Sequence, residues 1–305
     1  MLRTFKEVLE KAKGYGPQKM SVAAAQAEEV LRAVELARVE GLTDSILVGD
    51  KKEIRRVANK IGINLSPYEI IDQPDKTETA KGAVELIRNN QASILMKGMM
   101  GTAKILKAIL DKERGLRTDK LLSHIYTLEV KNYGRLLTIT DGAMNISPDL
   151  AQKAQIIQNA IDFAHLLLAV EQPKVAVLGA LELVTPDMPA TLDAACLAKM
   201  SERGQIVGGI VDGPLAFDNA ISKESALLKG INSPVSGEVD IVLVPHIEAG
   251  NIMAKALVCL ANAVPGGLVW GAKAPVVLTS RADSVESKLY SIALAVLASG
   301  MVKSK

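Results

Sequence analysis

The chain contains few cysteine, histidine and aromatic residues, and each shortage excludes a class of function. Two cysteines and three histidines among 305 residues cannot form a disulfide framework, and the histidines lack zinc-ligand spacing. One tryptophan, five tyrosines and three phenylalanines do not alternate with basic runs, so no base-stacking surface is expected. Cys196 and Cys259 each lie in an apolar helical pattern, which predicts buried structural thiols. We therefore expect no metal and no nucleic-acid partner.

A large excess of charge of one sign and a long apolar run are also missing. The chain carries 36 Lys and Arg against 34 Asp and Glu, a net charge of +2, which gives no general attraction to nucleic acid or to a membrane surface. The longest apolar stretch, 292–302, is too short to cross a bilayer and contains Ser299 and Gly300. The amphipathic residues 1–13 lack the apolar core of a secretory signal. These features predict a cytoplasmic protein without a membrane partner.

What the chain does contain is an alternation of short apolar runs with longer helical patterns. Residues 22–40 show helical spacing closed by Gly41. The alternation is typical of parallel sheets covered by helices on both faces, so the expected fold class is α/β. A domain boundary is expected near residues 132–134. The predicted strands are 45–48, 69–72, 93–96, 125–130, 136–140, 174–178, 206–212, 241–244 and 275–279.

Five of these strands end in polar loops. The carboxyl ends of parallel strands and the starts of the following helices are where anions and small substrates bind. A site for an anionic substrate is therefore expected among these loops. The loops are Lys97–Thr102, Asp141–Asn145, Asp212–Pro214, Pro245–Asn251 and Ser280–Ser284.

The first four loops have two interpretations. A lysine, two glycines and a helix start suit a phosphate group after Lys97, but a tight turn with Thr102 as N-cap explains the same residues, and the Walker spacing is absent. Asp141 and Asn145 either bind a ligand or satisfy backbone groups of their own loop, and the Asp212 loop is equally ambiguous. His246 is either a general base or a structural residue.

The last loop gives the strongest functional signal. Asp283 and Glu286 fit a capping box that opens the final helix, and this interpretation requires no chemistry. It leaves Ser280 and Arg281 at the strand end unexplained, because an arginine there must meet an anion or face water. The arginine fork matches phosphate and carboxylate groups, so an anionic substrate is expected at this loop.

Eight segments, in order and over nearly the whole chain, carry a resemblance to one family. They are DSILVGD at 44–50, MKGMMGTAKILKAIL at 96–110, ERGLRTDKLLSH at 113–124, TDGAMN at 140–145, VDGPLAFDNAIS at 211–222, NSPVSGEVDIVLVP at 232–245, EAGNIMAKAL at 248–257 and PVVLTSRADS at 275–284. Together they resemble the phosphate acetyl/butyryltransferase family, and they are nearer to its shorter, phosphate butyryltransferase branch.

The resemblance implies a fold, a reaction and partners. The expected fold is two α/β/α domains flanking a cleft, as in isocitrate and isopropylmalate dehydrogenases, with residues 1–133 and 270–305 in the first domain and 134–269 in the second. The expected reaction is reversible transfer of a short-chain, butyryl-like acyl group between coenzyme A and inorganic phosphate. Coenzyme A is then a substrate and no cofactor is expected. A homodimer or larger homo-oligomer is expected, since family members commonly assemble in this way.

The resemblance also implies roles for single residues. Ser280 and Arg281 match the pair that binds and stabilises the reacting groups, whereas the aspartate proposed as base in the acetyl branch is matched here by Ser287. Asp283 and Glu286 are therefore the expected substitutes, and Ser280, Arg281, Asp283 and Glu286 form the predicted catalytic set. The predicted phosphate- and coenzyme-A-binding residues are Lys97, Gly98, Thr102, Ser123, Asp141, Asn145, His246, Gly250 and Asn251.

Three alternatives stay open at this stage. The acyl group could be acetyl, because one methylene changes pocket affinity by only about 1–3 kcal/mol. Ser287 and His246, which stand where the acetyl branch has acidic residues, leave room for a coenzyme-A-binding protein with a decayed site. A dehydrogenase of the same fold would need clustered acidic metal ligands and a dinucleotide-binding loop, and the sequence contains no such pattern.

Overall fold

Strands and helices alternate along most of the chain, as the hydrophobic pattern predicts. The computed structural model describes residues 1–280 and 283–303. The strands are β1 (Gln18–Ala23), β2 (Thr43–Gly49), β3 (Glu69–Asp72), β4 (Ile94–Lys97), β5 (Ser123–Glu129), β6 (Leu136–Thr140), β7 (Lys174–Leu178), β8 (Ile210–Leu215), β9 (Ile241–Leu243), β10 (Val264–Trp270) and β11 (Val276–Val277). The helices are α1 (Phe5–Lys13), α2 (Glu28–Val39), α3 (Lys51–Ile61), α4 (Lys76–Arg88), α5 (Thr102–Ile109), α6 (Leu150–Leu168), α7 (Pro189–Glu202), α8 (Phe217–Ile221), α9 (Lys223–Leu228), α10 (Ile247–Leu260) and α11 (Val285–Lys303).

The chain divides into two compact units. The first, called the N-terminal unit, comprises residues 6–120 and 266–305, and the second, called the middle unit, comprises residues 1–5 and 121–265. The first boundary therefore lies before β5, earlier than the sequence-based boundary at 133. The physical reason is strand pairing: β5 and β6 form an antiparallel hairpin, with Tyr126 opposite Ile139, and a cut at 133 would separate its two strands.

In the N-terminal unit, the strands lie in the order β3-β2-β1-β4-β11-β10. Neighbouring strands are parallel except β10 and β11, which pair antiparallel. β11 enters the sheet beside β4, with Val276 opposite Leu95, so the last strand of the chain completes a sheet begun near the amino terminus. α11 packs against α2, and α4 packs against α5.

In the middle unit, the strand order is β5-β6-β9-β7-β8, and only the β5–β6 pair of these neighbours is antiparallel. The buried core there combines sheet residues such as Ile139 and Val242 with Ala254 of α10. α6 begins with a capping box in which Asp149 accepts from the Gln152 N–H and the Gln152 side chain accepts from the Asp149 N–H. Since β6 and β9 pair in parallel, their carboxyl ends lie beside each other in this unit.

Several sequence-based expectations require correction. Residues 22–40 are not one helix, because β1 occupies Gln18–Ala23 and α2 starts only at Glu28; β10 was not predicted either. Cys196 and Cys259 are exposed, not buried, since an apolar helix pattern does not reveal which side faces the core. Among the helices of the described residues, none combines the length and apolar composition that a bilayer-spanning helix requires.

Candidate active site

In the N-terminal unit, the loop after β4 is held against the end of β1. The Gly98 N–H donates to the Ala23 carbonyl at 2.7 Å, and the Met99 N–H donates to the Ala24 carbonyl at 2.8 Å. A Cβ atom at Gly98 would lie 2.2 Å from the Ala24 carbonyl oxygen, so only glycine allows this approach. Lys97, directly before it, is 5% exposed.

Thr102 begins α5 but does not cap it. The N-cap is Gly101, which has no side chain to accept a hydrogen bond, so the predicted capping role of Thr102 is wrong. The first N–H groups of α5 therefore lack a side-chain cap within their own loop. A helix start of this kind suits an anion, which keeps Thr102 among the residues predicted to bind substrate.

The loop between β11 and α11 has a different local structure from the predicted capping box. Ser284 is the residue that caps α11, because the Ser287 N–H donates to its Oγ at 3.1 Å. Asp283 turns back instead: its Oδ2 accepts from the Ser280 N–H at 2.7 Å. Glu286 is exposed and accepts from the Tyr290 hydroxyl at 2.8 Å. Arg281, the central residue of the sequence-based hypothesis, lies outside the described residues.

These two loops line one small pocket within the N-terminal unit. The pocket brings together Lys97 and Gly98 from the first loop, Ser280 from the second, and Lys288 from the first turns of α11. Lys288 was not predicted as a site residue, because the start of α11 mixes charged, polar and apolar residues and its spacing does not reveal which side chains are buried. The full set of lining residues is Ala27, Glu29, Val30, Lys97, Gly98, Met99, Thr279, Ser280 and Lys288.

Electrostatics distinguish Lys288 within this pocket. The side chain is 3% exposed, and burial lowers the pKa of its ammonium, while the nearby carboxylates of Asp283 and Glu29 oppose that shift. Its Nζ donates to the main-chain carbonyl of Asp283. The pocket thus contains two deeply buried lysines at the loops for which anion binding was predicted.

In the middle unit, Asp141 organises the loop after β6. Its Oδ1 accepts from the Ala143 and Met144 N–H groups at 2.9 and 3.0 Å. Its Oδ2 accepts from the Asn145 side-chain amide at 2.6 Å and from the His124 N–H at 3.1 Å. The carboxylate is 3% exposed, so in this structure it shapes the loop and is already saturated with donors.

The start of α10 contacts the same loop through two glycines. A Cβ atom at Gly250 would lie 2.8 Å from the Cα of Gly142, and the Asn251 side-chain amide donates to the Gly142 carbonyl at 3.2 Å. Four predicted site residues, Asp141, Asn145, Gly250 and Asn251, are therefore brought together in the middle unit.

His246 and Ser123, also predicted to bind substrate, have well-defined local contacts. His246 is the exposed N-cap of α10, with Nδ1 3.4 Å from the Ala249 nitrogen and 3.0 Å from Glu248 Oε2. Nδ1 accepts in the first contact and donates in the second, so the tautomer decides between them. Ser123 is fully buried, and its hydroxyl accepts from the Asn159 amide at 3.0 Å, which gives it a structural contact inside the unit.

The acidic, cysteine and histidine side chains that the structure describes show no arrangement for a metal ion. Within residues 1–280 and 283–303, no group of three or more His, Cys, Asp or Glu side chains is placed to hold one. The pocket of the N-terminal unit instead collects the ammonium groups of Lys97 and Lys288 beside the Glu29 carboxylate, and ammonium groups suit an anionic ligand. In the middle unit, the amide and backbone N–H donors of the loop after β6 are paired with the Asp141 carboxylate.

Comparisons with known proteins place this chain in a family. Residues 76–296 match the profile of the phosphate acetyl/butaryl transferases. The chain is 47% identical over 300 residues to the phosphate butyryltransferase of Clostridium acetobutylicum, covering 98% of this chain and 99% of the relative. It is 45% identical over 288 residues to the phosphate acetyltransferase of Thermotoga maritima, covering 94% and 97% of the two chains.

The fold is also similar to that of a solved structure. The crystal structure of a branched-chain phosphotransacylase from Enterococcus faecalis V583 superposes with a TM-score of 0.83 at 33% identity, covering 92% of this chain and 99% of that chain. The protein is therefore an α/β transferase of the phosphotransacylase class. The chain belongs to the phosphate acetyl/butaryl transferase family, which confirms the resemblance found in the sequence.

Proposed function

We propose that this protein transfers a short-chain acyl group between coenzyme A and inorganic phosphate. In the forward direction a phosphate oxygen attacks the thioester carbonyl carbon, the carbon–sulfur bond breaks, and acyl phosphate and the coenzyme A thiol are released. The observation that carries the proposal is the match to butyryl- and acetyltransferases along almost the whole chain. The pocket that contains Lys97 and Ser280 supports placing the phosphate in the N-terminal unit.

The proposed roles follow from the charges that change during the reaction. The guanidinium of Arg281 grips the phosphate, and the ammonium of Lys97 adds positive charge beside it. The thioester carbonyl oxygen becomes an oxyanion in the tetrahedral intermediate, and each positioned donor there is worth roughly 3–4 kcal/mol. Holding both substrates in line supplies much of the remaining rate acceleration.

Asp283 is the proposed general base for the reverse reaction, in which the coenzyme A thiol attacks acyl phosphate. A thiol of pKa about 8.5 needs deprotonation before it attacks. The Asp283 carboxylate accepts the N–H of Ser280, and this hydrogen bond fixes the position of the two residues relative to each other. Glu286, the second predicted base, is exposed and bonded to Tyr290, which favours Asp283.

Further features of the family complete the proposal. They are an arrangement of two α/β/α domains flanking a cleft, as in isocitrate and isopropylmalate dehydrogenases, a homodimer or larger oligomer, and a cytoplasmic location. Coenzyme A is proposed as a substrate, without a metal or redox cofactor. The division of the chain into two α/β units supports the two-domain arrangement.

The test is release of free thiol from acyl-CoA with and without phosphate. We expect phosphate-dependent release for at least one member of a series from acetyl- to valeryl-CoA, with branched chains included. The absence of such release across the whole series would overturn the proposal. If calorimetry then found tight binding of coenzyme A, a coenzyme-A-binding protein without turnover would replace it.

Acetyl transfer is the second candidate reaction. The identities to the phosphate butyryltransferase and the phosphate acetyltransferase, 47% and 45%, are too similar to separate the two reactions. A pocket that differs by one methylene discriminates by only about 1–3 kcal/mol. The ratio of kcat/KM for butyryl-CoA to that for acetyl-CoA decides between them.

A further inference from the structure

Lys288 is an unusual residue for its position in the fold. It lies in the first turns of α11 between Ser287 and Leu289, and all three side chains are at least nine-tenths buried. Moving an ammonium group out of water is unfavourable unless the charge is paired or hydrogen-bonded. Within the described residues its hydrogen-bond partner is the Asp283 carbonyl, which carries no formal charge.

The charges around Lys288 come from three other elements. Glu29 belongs to the first turn of α2, Asp283 to the loop before α11, and Lys97 to the end of β4. The two carboxylates favour the charged ammonium, whereas burial disfavours it. Lys97, itself 5% exposed, adds a second positive charge at the same pocket.

The ammonium groups of Lys97 and Lys288 both line the pocket. An anion that enters it gains attraction from both groups, because charges interact more strongly where water is excluded. The Nζ of Lys288 is bonded to the carbonyl of Asp283, and Asp283 accepts the N–H of Ser280. The position of Ser280 is thus linked to Lys288 through Asp283.

We propose that Lys288 is a positioning residue for the phosphate group: its ammonium holds Asp283 and, through Asp283, Ser280, and it offsets the carboxylates of Glu29 and Asp283 beside the pocket. The inference rests on the proposed acyl transfer to phosphate. It adds a residue outside the predicted set, and it assigns to the start of α11 a role beyond packing.

The test compares Lys288→Met and Lys288→Gln with the unaltered protein in the thiol-release assay. Loss of one charged contact corresponds to roughly 1.5–3 kcal/mol, which is on the order of a 10- to 100-fold rise in KM for phosphate. We expect this rise in both variants, with KM for acyl-CoA changed less than about twofold. Because burial already disfavours the charge, neither variant should melt at a lower temperature.

Lys60→Met is the matched control, because Lys60 is an exposed lysine of the same unit whose Nζ lies 3.5 Å from Glu28 Oε2. It should leave both KM values unchanged. The proposal is overturned if Lys288→Gln has the KM for phosphate of the unaltered protein. It is equally overturned if both KM values and the melting temperature shift together, since a purely structural lysine would behave in that way.

The outcomes for Lys288 and for the proposed function are separable. If the unaltered protein releases no thiol with phosphate, the proposed function fails before any variant is compared. If the unaltered protein is active and the Lys288 variants match it, only the role of Lys288 is withdrawn. Lys288→Arg adds a further check: a restored positive charge should recover part of the affinity for phosphate.

Discussion

The carboxylate of Asp141 and the side-chain amide of Asn145 are joined by a hydrogen bond of 2.6 Å. The same carboxylate accepts three N–H groups of its own loop, at 2.9, 3.0 and 3.3 Å. The first residue of the loop after β6, Asp141, therefore fixes the conformation of that loop. Two predicted substrate-binding residues prove to be partners of each other, and any ligand contact by Asn145 depends on Asp141.

We predict that Asp141→Asn lowers the free energy of unfolding by roughly 2–3 kcal/mol, because the new amide NH₂ faces N–H donors and leaves buried groups unpaired. Urea unfolding at neutral pH measures the change. Asp149→Asn is the control, since Asp149 is an N-cap in the same unit and asparagine caps a helix about as well as aspartate. Equal effects of the two substitutions would contradict the central role of Asp141.

A second prediction concerns the contact of Gly250 with Gly142. The added methyl of Gly250→Ala would lie 2.8 Å from the Gly142 Cα and 2.8 Å from Val244 Cγ2, so α10 must move away from the loop. We expect a loss of about 1–3 kcal/mol in the free energy of unfolding, together with a fall in kcat/KM.

The control for this substitution is Gly82→Ala in α4, where the new methyl has no neighbour closer than 3.9 Å. Replacing a helical glycine there should raise the free energy of unfolding by about 0.5–1 kcal/mol. The two glycine substitutions are thus expected to change the free energy of unfolding in opposite directions. A stabilising effect of Gly250→Ala would show that the contact tolerates a side chain.

A third prediction concerns Arg281, the proposed phosphate clamp. Arg281→Ala should lower kcat/KM for phosphate by on the order of 10²–10³-fold, and Arg281→Lys should recover only part of it, because lysine lacks the bidentate fork. Steady-state kinetics with varied phosphate measure both effects. Arg56→Ala, which removes an exposed guanidinium paired with Glu53, serves as the control; acyl transfer undiminished in Arg281→Ala would exclude the clamp.

A fourth prediction is a pH dependence in the N-terminal unit. The Arg38 guanidinium, followed by the Tyr68 hydroxyl, holds the pKa of Glu35 below its usual value. A carboxyl with a lowered folded-state pKa stabilises the fold above its unfolded pKa of about 4.3, and this contribution is lost as pH falls through the folded value.

The comparison is between Glu35→Gln and the unaltered protein in urea at pH 7 and pH 3. Their free energies of unfolding should differ by no more than about 1 kcal/mol at pH 7, because the pair is partly exposed, and the difference should be smaller at pH 3, since Glu35 is then closer to protonation in the folded protein. Tyr68→Phe removes the second donor and should give an intermediate difference. If the difference in free energy of unfolding between the two proteins grew toward low pH, the pKa of Glu35 would be raised in the folded protein and not lowered.

The alternating fold class follows from the sequence because short apolar runs separated by longer helical patterns allow few other arrangements. The strand at 18–23 was missed for a physical reason. Its last residues lead into Ala24, Ala25 and Ala27, and alanine fits a helix and a buried strand almost equally. These residues form a strand because β1 pairs with both β2 and β4. Such pairing between distant segments leaves no periodicity in the local sequence.

The site was only partly predictable from the sequence. The loops after β4, β6, β9 and β11 were found because glycine and polar residues follow apolar runs. Lys288 was missed because its burial results from α11 packing beside α2, and sequence spacing does not reveal that contact. The cap was misassigned by one residue, Asp283 for Ser284, because both residue types cap helices well.

The place of β11 between β4 and β10 has a consequence for synthesis. A growing chain emerges amino terminus first, so β1 to β4 leave the ribosome long before the strand that must join β4. The middle unit has its complete set of residues earlier, once position 265 has emerged. The unit that contains β1 to β4 is thus the unit that is finished last, and until then the edge of β4 needs protection from wrong partners.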